Sequence, residues 1–387
     1  PCEESGVKVK RAWLLLLVFV GGMTSLGIEM SASRLLDPFF GNSLVIWAVL
    51  IGSVLLYLTL GYFIGGRWAD RKPHYRILYQ ITAWSAFLIG LIPFAARPVL
   101  GWSVQGFAEF SVGLLAGSLL GVVVLLSVPV TLLGCISPFA VRLAIEDSGV
   151  KSAGNTAGGL YALSTVGSLV GTFLPVLVLI PNIGTRTTFF LFSFLLLTIS
   201  LGALFSELRV RAVPYLLMPV VLLTLVLLRP AGIIKAPSAG TLLYETESAY
   251  NYIQVVQWED EVWLKLNEGQ GVHSVYIPGS VLVEGVWDSF LVAPYFNNAP
   301  YTSDRVGSLA LIGSAAGTVS KQYTDIYGPI PIDGIELDPE IIRVGREFFD
   351  MTEPNLNAVA QDGRYFLANS PRTYDVIAID AYRPPYI

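Results

Sequence analysis

The chain has 387 residues, of which 53% are hydrophobic and only 14% charged. A soluble domain carries about a quarter charged residues, so this composition excludes a protein that is soluble throughout. The charge is also divided: residues 1–229 hold 15 Lys/Arg against 9 Asp/Glu, and residues 230–387 hold 9 against 20, so an apolar basic front joins an acidic mixed back.

Crossing a bilayer as helix takes about 20 apolar residues. Seven stretches qualify: 12–32, 44–66, 77–97, 111–135, 158–180, 187–206 and 213–229, the last being the shortest. Each is predicted to be helical, because lipid offers no partner for free backbone groups. Residues 1–11 then form an N-terminal cytoplasmic segment, and 12–229 a multi-pass helical domain of about seven helices in the lipid bilayer of the cell membrane. Lys8, Lys10, Arg11, Arg67, Arg71, Lys72, Arg76, Arg142, Lys151, Arg209 and Arg211 sit on one set of loops, and only Arg34, Arg97 and Arg186 on the other. Positive charge marks the inner face, so the N-terminus is cytoplasmic and an odd span count places the rest of the chain outside.

Three details of this half invite functional readings. Glu29, near the end of the first span with Arg34 and Asp37 just beyond, reads as a point on an ion or substrate path or as a member of a local ion pair. The run GGRWADR (65–71) has the Gly-x-x-x-Asp-Arg spacing of Gly66, Asp70 and Arg71, which resembles the cytoplasmic turn of major-facilitator transporters and equally suits a tight charged turn. Gly167 and Gly171, four apart, allow close helix packing. Cys2, Cys135, His74 and His273 form no ligand pattern, so neither a disulfide nor a metal site is expected. Starting at Pro1 without Met implies cleaved or missing upstream residues, and no removable signal peptide is legible.

The Pro/Gly-rich run RPAGIIKAPSAG marks a linker at 230–241. Residues 242–303 open with alternating Tyr, Val, Ile and Trp and read as a small β-hairpin domain, extended by GVHSVYI into an antiparallel sheet. From 304 to 387 strand and helix patterns alternate, which predicts a Rossmann-like parallel α/β sheet. Its first strand leads into the turn Gly313-Ser314-Ala315-Ala316-Gly317. In GIELDPEIIRV a strand ends near Glu336, with Asp338 as helix cap and Pro339 at the first helical position. Glu336 lies 23 residues after Gly313, close to the spacing of about 20 at which an acid accepts ribose hydroxyls. Asp362 follows a third strand and Asp380 ends a fourth. Ligands bind outside the carboxyl ends of such strands, so all three acids are expected to converge on the glycine turn.

The ordered segments SAYNYIQVV, LNEGQGVHSVY, IGSAAGT, IELDP, QDGRYFL and VIAIDAY resemble the spermidine synthase (polyamine aminopropyltransferase) family. The front half resembles the multi-spanning segment of some bacterial members. The resemblance implies a class I methyltransferase-like fold and decarboxylated S-adenosylmethionine as co-substrate, held at Gly313, Ala315 and Gly317. It further implies that Glu336 binds the ribose, Asp362 faces the adenine, Gln270 helps close the site and Asp380 takes the proton of an attacking small-molecule amine. No metal is required, and no nucleic acid is expected as partner.

Three departures qualify the resemblance. Ala315 replaces the middle glycine of the usual Gly-x-Gly-x-Gly form. Arg383 stands where a second Asp commonly helps to hold a polyamine; a permanent cation repels a diamine and suits an anionic acceptor. The Tyr-His-Glu element is replaced within VYIPGSVLVEGVWDSF. The chain also stops just after its fourth strand, leaving an apolar edge that native proteins avoid, so the sheet reads as truncated or covered by a protein partner. Two functions remain: an aminopropyltransferase, or a catalytically silent relative acting as membrane scaffold or accessory subunit. A transporter with an appended domain is the third.

Overall fold

The computed structural model describes residues 2–107, 113–148, 152–228, 233–269 and 271–381. Gln270, Arg383 and Lys151 lie outside the described residues. The chain divides into two units, Pro1–Lys235 and Ala236–Ile387.

The first unit is helical: α1 (Cys2–Phe40), α2 (Leu44–Arg71), α3 (Tyr75–Phe107), α4 (Gly113–Gly134), α5 (Ile136–Ser148), α6 (Ala153–Leu174), a π-turn (Pro175–Leu179), α7 (Ile180–Leu208), a 3₁₀ segment (Arg209–Leu216) and α8 (Leu217–Leu228). Among the described residues, five helical stretches are long and apolar enough to cross a membrane: Val9–Phe40, Leu44–Arg71, Tyr75–Gly106, Gly113–Asp147 and Ala153–Leu228. The last holds 76 residues and is interrupted. Gly184 breaks α7 with φ 76° and ψ 164°, and α8 has only 12 residues. Helix α5 occupies residues that the hydropathy pattern leaves between spans. Its Arg142 pairs with Asp70 of the GGRWADR turn at 3.5 Å and with Glu146 at 3.8 Å, on an exposed surface.

Close packing of α1 on α6 rests on small residues. A Cβ on Gly167 would lie 2.1 Å from the Phe19 carbonyl oxygen, and one on Gly171 2.0 Å from that of Met23. A Cβ on Gly22 would meet the Ser164 carbonyl oxygen at 2.3 Å, and the Ser168 hydroxyl donates to the Gly22 carbonyl at 3.2 Å. The contacts 19–167 and 23–171 advance together, so the two helices run parallel. In lipid, where apolar burial gives helices no preference for each other, such contact and cross-helix hydrogen bonding are the available attractions.

The second unit holds two sheets. Strands β1 (Thr241–Glu247), β2 (Tyr252–Trp258), β3 (Glu261–Leu266) and β4 (Val272–Tyr276) form an antiparallel sheet in sequential order. Trp258 pairs with Glu261, so Glu259 and Asp260 make a two-residue turn, and Glu259 takes the left-handed φ of 52° that such turns require. After the short helix α9 (Asp288–Val292) come β5 (Leu309–Ile312), α10 (Thr318–Tyr327), β6 (Ile332–Glu336), α11 (Pro339–Phe348), β7 (Leu356–Ala360), α12 (Gly363–Asn369) and β8 (Val376–Ile379). The second sheet is parallel in the order β7-β6-β5-β8. Ile253, Val255 and Leu264 of the first sheet pack against Ala316, Ile341, Val344 and Phe349, which seats the small sheet on the glycine turn and α11. Strand β8 ends the parallel sheet, with Ile377 and Ile379 exposed.

A methyl at Gly167 or Gly171 would strike the α1 backbone. Gly171→Ala is therefore expected to lower unfolding stability by about 1–3 kcal/mol, measured by thermal unfolding in detergent. Gly158→Ala on the same helix, where a Cβ meets nothing within 4 Å, should leave stability unchanged or raise it.

Candidate functional site

The glycine turn joins β5 to α10. Gly313 has φ 82°, and a Cβ there would lie 2.6 Å from the Asp380 carbonyl oxygen, so only glycine lets the end of β8 come this near. The Asp380 N–H in turn donates to the Ile312 carbonyl at 2.8 Å. Gly317, with φ 95°, precedes α10, and a Cβ there would meet the Met351 side chain at 2.6 Å. Between them Ala315 is left-handed at φ 45°, a conformation that costs a residue with a Cβ about 1–2 kcal/mol.

All five N–H groups of the turn are already engaged. Those of Gly313 and Ser314 donate to the Ile335 carbonyl at 2.8 and 3.1 Å, and that of Gly317 to the Ser314 carbonyl at 3.0 Å. Ala315 N–H donates to Glu336 Oε2 at 3.0 Å, and Ala316 N–H to Ser274 Oγ at 3.0 Å. A loop that cradles phosphate presents free N–H groups to it. This loop presents none, so its ligand-facing chemistry rests on the acids at the strand ends.

Glu336 lies at the end of β6. Besides Ala315 it accepts the Asp338 N–H on Oε1 at 3.1 Å. Burial pushes its carboxyl above the ordinary value of 4.5, against the pull of the Asp338, Ala315 and Leu337 amides. Asp380 follows β8. Burial likewise pushes its carboxyl above 3.8, while the Trp287 indole pulls the other way; Trp287 is buried in one apolar cluster with Ala378 of β8. The turn thus contacts Glu336 through a side chain and Asp380 through its backbone.

Asp362 occupies the corresponding end of β7, but it is exposed, and its Oδ1 accepts the Tyr365 N–H at 2.9 Å as the cap of α12. Asp338 caps α11 as expected, with Pro339 at the first helical position. It also accepts from the Ser248 hydroxyl and from Asn251 Nδ2 at 2.9 Å. Ser274, Thr318 and Trp287 were given no role in the sequence, although Ser274 and Thr318 lie within LNEGQGVHSVY and IGSAAGT. Ser274 braces the turn, the Thr318 hydroxyl accepts from Val275 N–H at 3.0 Å and donates to its carbonyl at 2.9 Å, and Trp287 reaches the acid of β8. Their partners are distant in sequence, so no local pattern carries the signal. Beside Ala316, Gly317 and Thr318 a cavity of about 10 Å³ has room for about one water.

One pH effect and one backbone effect follow. Glu336 and Asp380 hold their protons more tightly folded than unfolded, so between the ordinary carboxyl range and their raised values stability falls as pH rises, then levels off. Asp380→Asn should reduce that slope and leave stability at neutral pH equal or higher, read from thermal midpoints across pH. Separately, Ala315→Gly removes the left-handed penalty and should raise stability by about 1 kcal/mol, read by chemical denaturation.

No protein-family model matches the chain. A "Probable polyamine aminopropyl transferase" of Bifidobacterium longum is 36% identical over 143 residues, which is 37% of this chain and 30% of that protein. A "Polyamine aminopropyltransferase" of Clostridium beijerinckii is 24% identical over 103 residues, 25% of this chain and 36% of that one. A crystal structure of a probable spermidine synthase from Corynebacterium glutamicum aligns with a TM-score of 0.32 and 19% identity, covering 38% of this chain and 53% of that one. The chain spans about a third of the length of the curated relatives it matches. Over part of its length, it is homologous to polyamine aminopropyltransferases.

Proposed function

We propose that the protein is a membrane-anchored aminopropyltransferase that moves an aminopropyl group from decarboxylated S-adenosylmethionine to an amine acceptor. The observation that carries this reading is the closed set of loop amides beside two partly buried strand-end carboxyls. Such a turn suits a nucleoside that carries no phosphate and bears a positive sulfonium, and it fits a dinucleotide poorly. Partial homology to aminopropyltransferases supports the same conclusion.

In this reading Glu336 receives the ribose hydroxyls on the lone pairs its amide donors leave free, Asp362 faces the base, and Gln270 has the role of closing the site that the resemblance implies. The neutral amine nitrogen attacks the aminopropyl carbon next to sulfur in line. As the C–N bond forms, the C–S bond breaks and its electron pair stays on sulfur, which becomes a neutral thioether. The new ammonium gives its proton to Asp380, whose burial makes it a better proton acceptor than an exposed carboxylate. Arg383 directs the acceptor away from simple diamines. For the membrane half, the 76-residue stretch makes three crossings, turning back at Gly184 and at Arg209 (φ 51°) with the last running through the 3₁₀ segment and α8, which gives seven in all.

One observation favours a catalytically silent scaffold or accessory subunit instead. Glu336 is already bonded to the turn it would share with the ribose, and the Ala315 methyl stands where the ligand approaches. The odd number of crossings adds to this, because it places the second unit outside, away from a cytosolic donor.

Titration of the full-length protein in detergent with 5′-methylthioadenosine separates the readings. Binding is expected, weakened about tenfold in Asp362→Ala, while Asp380→Asn retains binding and loses aminopropyl transfer. Absence of binding at millimolar ligand overturns the enzyme. Cysteines introduced near residues 235 and 300, with both native cysteines replaced, report sidedness in intact cells: protection from an impermeant reagent supports the enzyme, and labelling supports the silent subunit.

A further inference from the structure

The carboxylate of Glu29 has no part in the proposed transfer. It is the only acid inside the seven predicted spans, and it is 9% exposed. Among the described residues no hydrogen bond or ion pair reaches it. The pairing with Arg34 read from the sequence is not formed, since Arg34 binds Asp37 at 3.7 Å. An ionised carboxylate in such surroundings needs a counter-charge, so either a proton or a cation accompanies Glu29.

The structure around it supplies further oxygens. Glu29 lies seven residues, two helical turns, beyond Gly22 and therefore on the same face of α1, the face whose Gly22 carbonyl accepts from Ser168. Carrying that parallel register forward by seven brings Glu29 level with Pro175, where α6 gives way to the π-turn and the Ile180 N–H donates five residues back to Pro175. Proline has no N–H, so the Gly171 carbonyl loses its helical donor, and Pro181 removes another donor a turn later. Interrupted membrane helices expose carbonyl oxygens of this kind to bound cations. One turn below Glu29 on α1, the Ser25 hydroxyl is buried without a partner.

Charged groups on the packed elements are committed elsewhere or distant. On α1, Lys10 pairs with Glu207 of α7 at 3.0 Å. The Arg186 guanidinium of α7 lies over the Phe94 and Phe190 rings at 5.1 and 5.7 Å. Arg142 and Glu146 of α5 pair with each other, and Asp147 accepts from Tyr75 of α3. On α3, Arg76 and Arg97 stand at the ends of the predicted span, and on α2 Arg67, Asp70 and Arg71 lie at its C-terminal end. Helices α4 and α6 and the π-turn carry no charged residue.

We infer that Glu29 and the carbonyl groups freed by Pro175 and Pro181, at the end of α6 and in the π-turn, form an intramembrane site for one positive charge, a proton or an alkali cation. The test uses the full-length protein in detergent and dicyclohexylcarbodiimide, an apolar reagent that adds to protonated carboxyls, with the modified peptide read by mass spectrometry. Labelling at Glu29 is expected, and should fall about tenfold over a rise of about two pH units. Protection of about fivefold by about 100 mM Na⁺ or K⁺, with choline as control, assigns an alkali cation; dependence on pH alone assigns a proton. Glu29→Gln must lose the label, and Glu29→Asp should keep it. A Glu29 peptide that is recovered unlabelled throughout, or labelled regardless of pH and salt, overturns the site. Because the wild-type titration stands alone, a Gln variant that fails to fold does not rescue the inference.

Discussion

The contact between Glu336 and the amide of Ala315 sets the character of the second unit. A buried carboxyl at the end of β6 reaches across to the turn after β5 and holds a residue with a Cβ in left-handed backbone. With Ser274 and the Ile335 carbonyl it closes the donor groups of the turn against outside anions. The parallel sheet therefore carries, after its first strand, a turn with no free N–H to offer a phosphate. What is left beside the turn is two partly buried carboxyls, Glu336 and Asp380, whose ionised forms attract positive charge and repel anions.

In the helical first unit the governing constraint is distance between backbones. Glycines on α1 and α6 bring the two helices so close that carbonyl groups lie against α-carbons. Two helices locked in this way cannot slide easily, which gives the interruption at Pro175 a fixed height relative to α1. A polar side chain at that height is then held in a defined place instead of sampling the lipid.

Much of this was legible in the sequence, and the reasons are local. The capping of α11 follows from Asp338 and Pro339, the hairpin from alternating residues around Glu259 and Asp260, and the helix contact from Gly167 and Gly171. Glu336 and Asp380 were legible because an acid after an apolar strand in a parallel sheet has a known place. What was not legible depends on partners far along the chain. Helix α5 reads as a loop because its mixed composition falls below the hydropathy of a span. Asp362 suits either a helix cap or the base-facing position that the resemblance implies; sequence alone does not choose between them, and the structure shows the cap. The support that Ser274 gives to Ala316 arises only when the small sheet docks, so no spacing announces it.

Asp338 shows how the small sheet is tied to the larger one. A single buried carboxylate starts α11 and also receives Ser248 and Asn251 from the connection between β1 and β2. The two sheets thus share one anchor, and the start of a helix outside the small sheet depends on residues that sheet supplies. Exchange of Ser248 for an apolar residue would strip one donor from that anchor and leave a buried carboxylate oxygen with less to satisfy it.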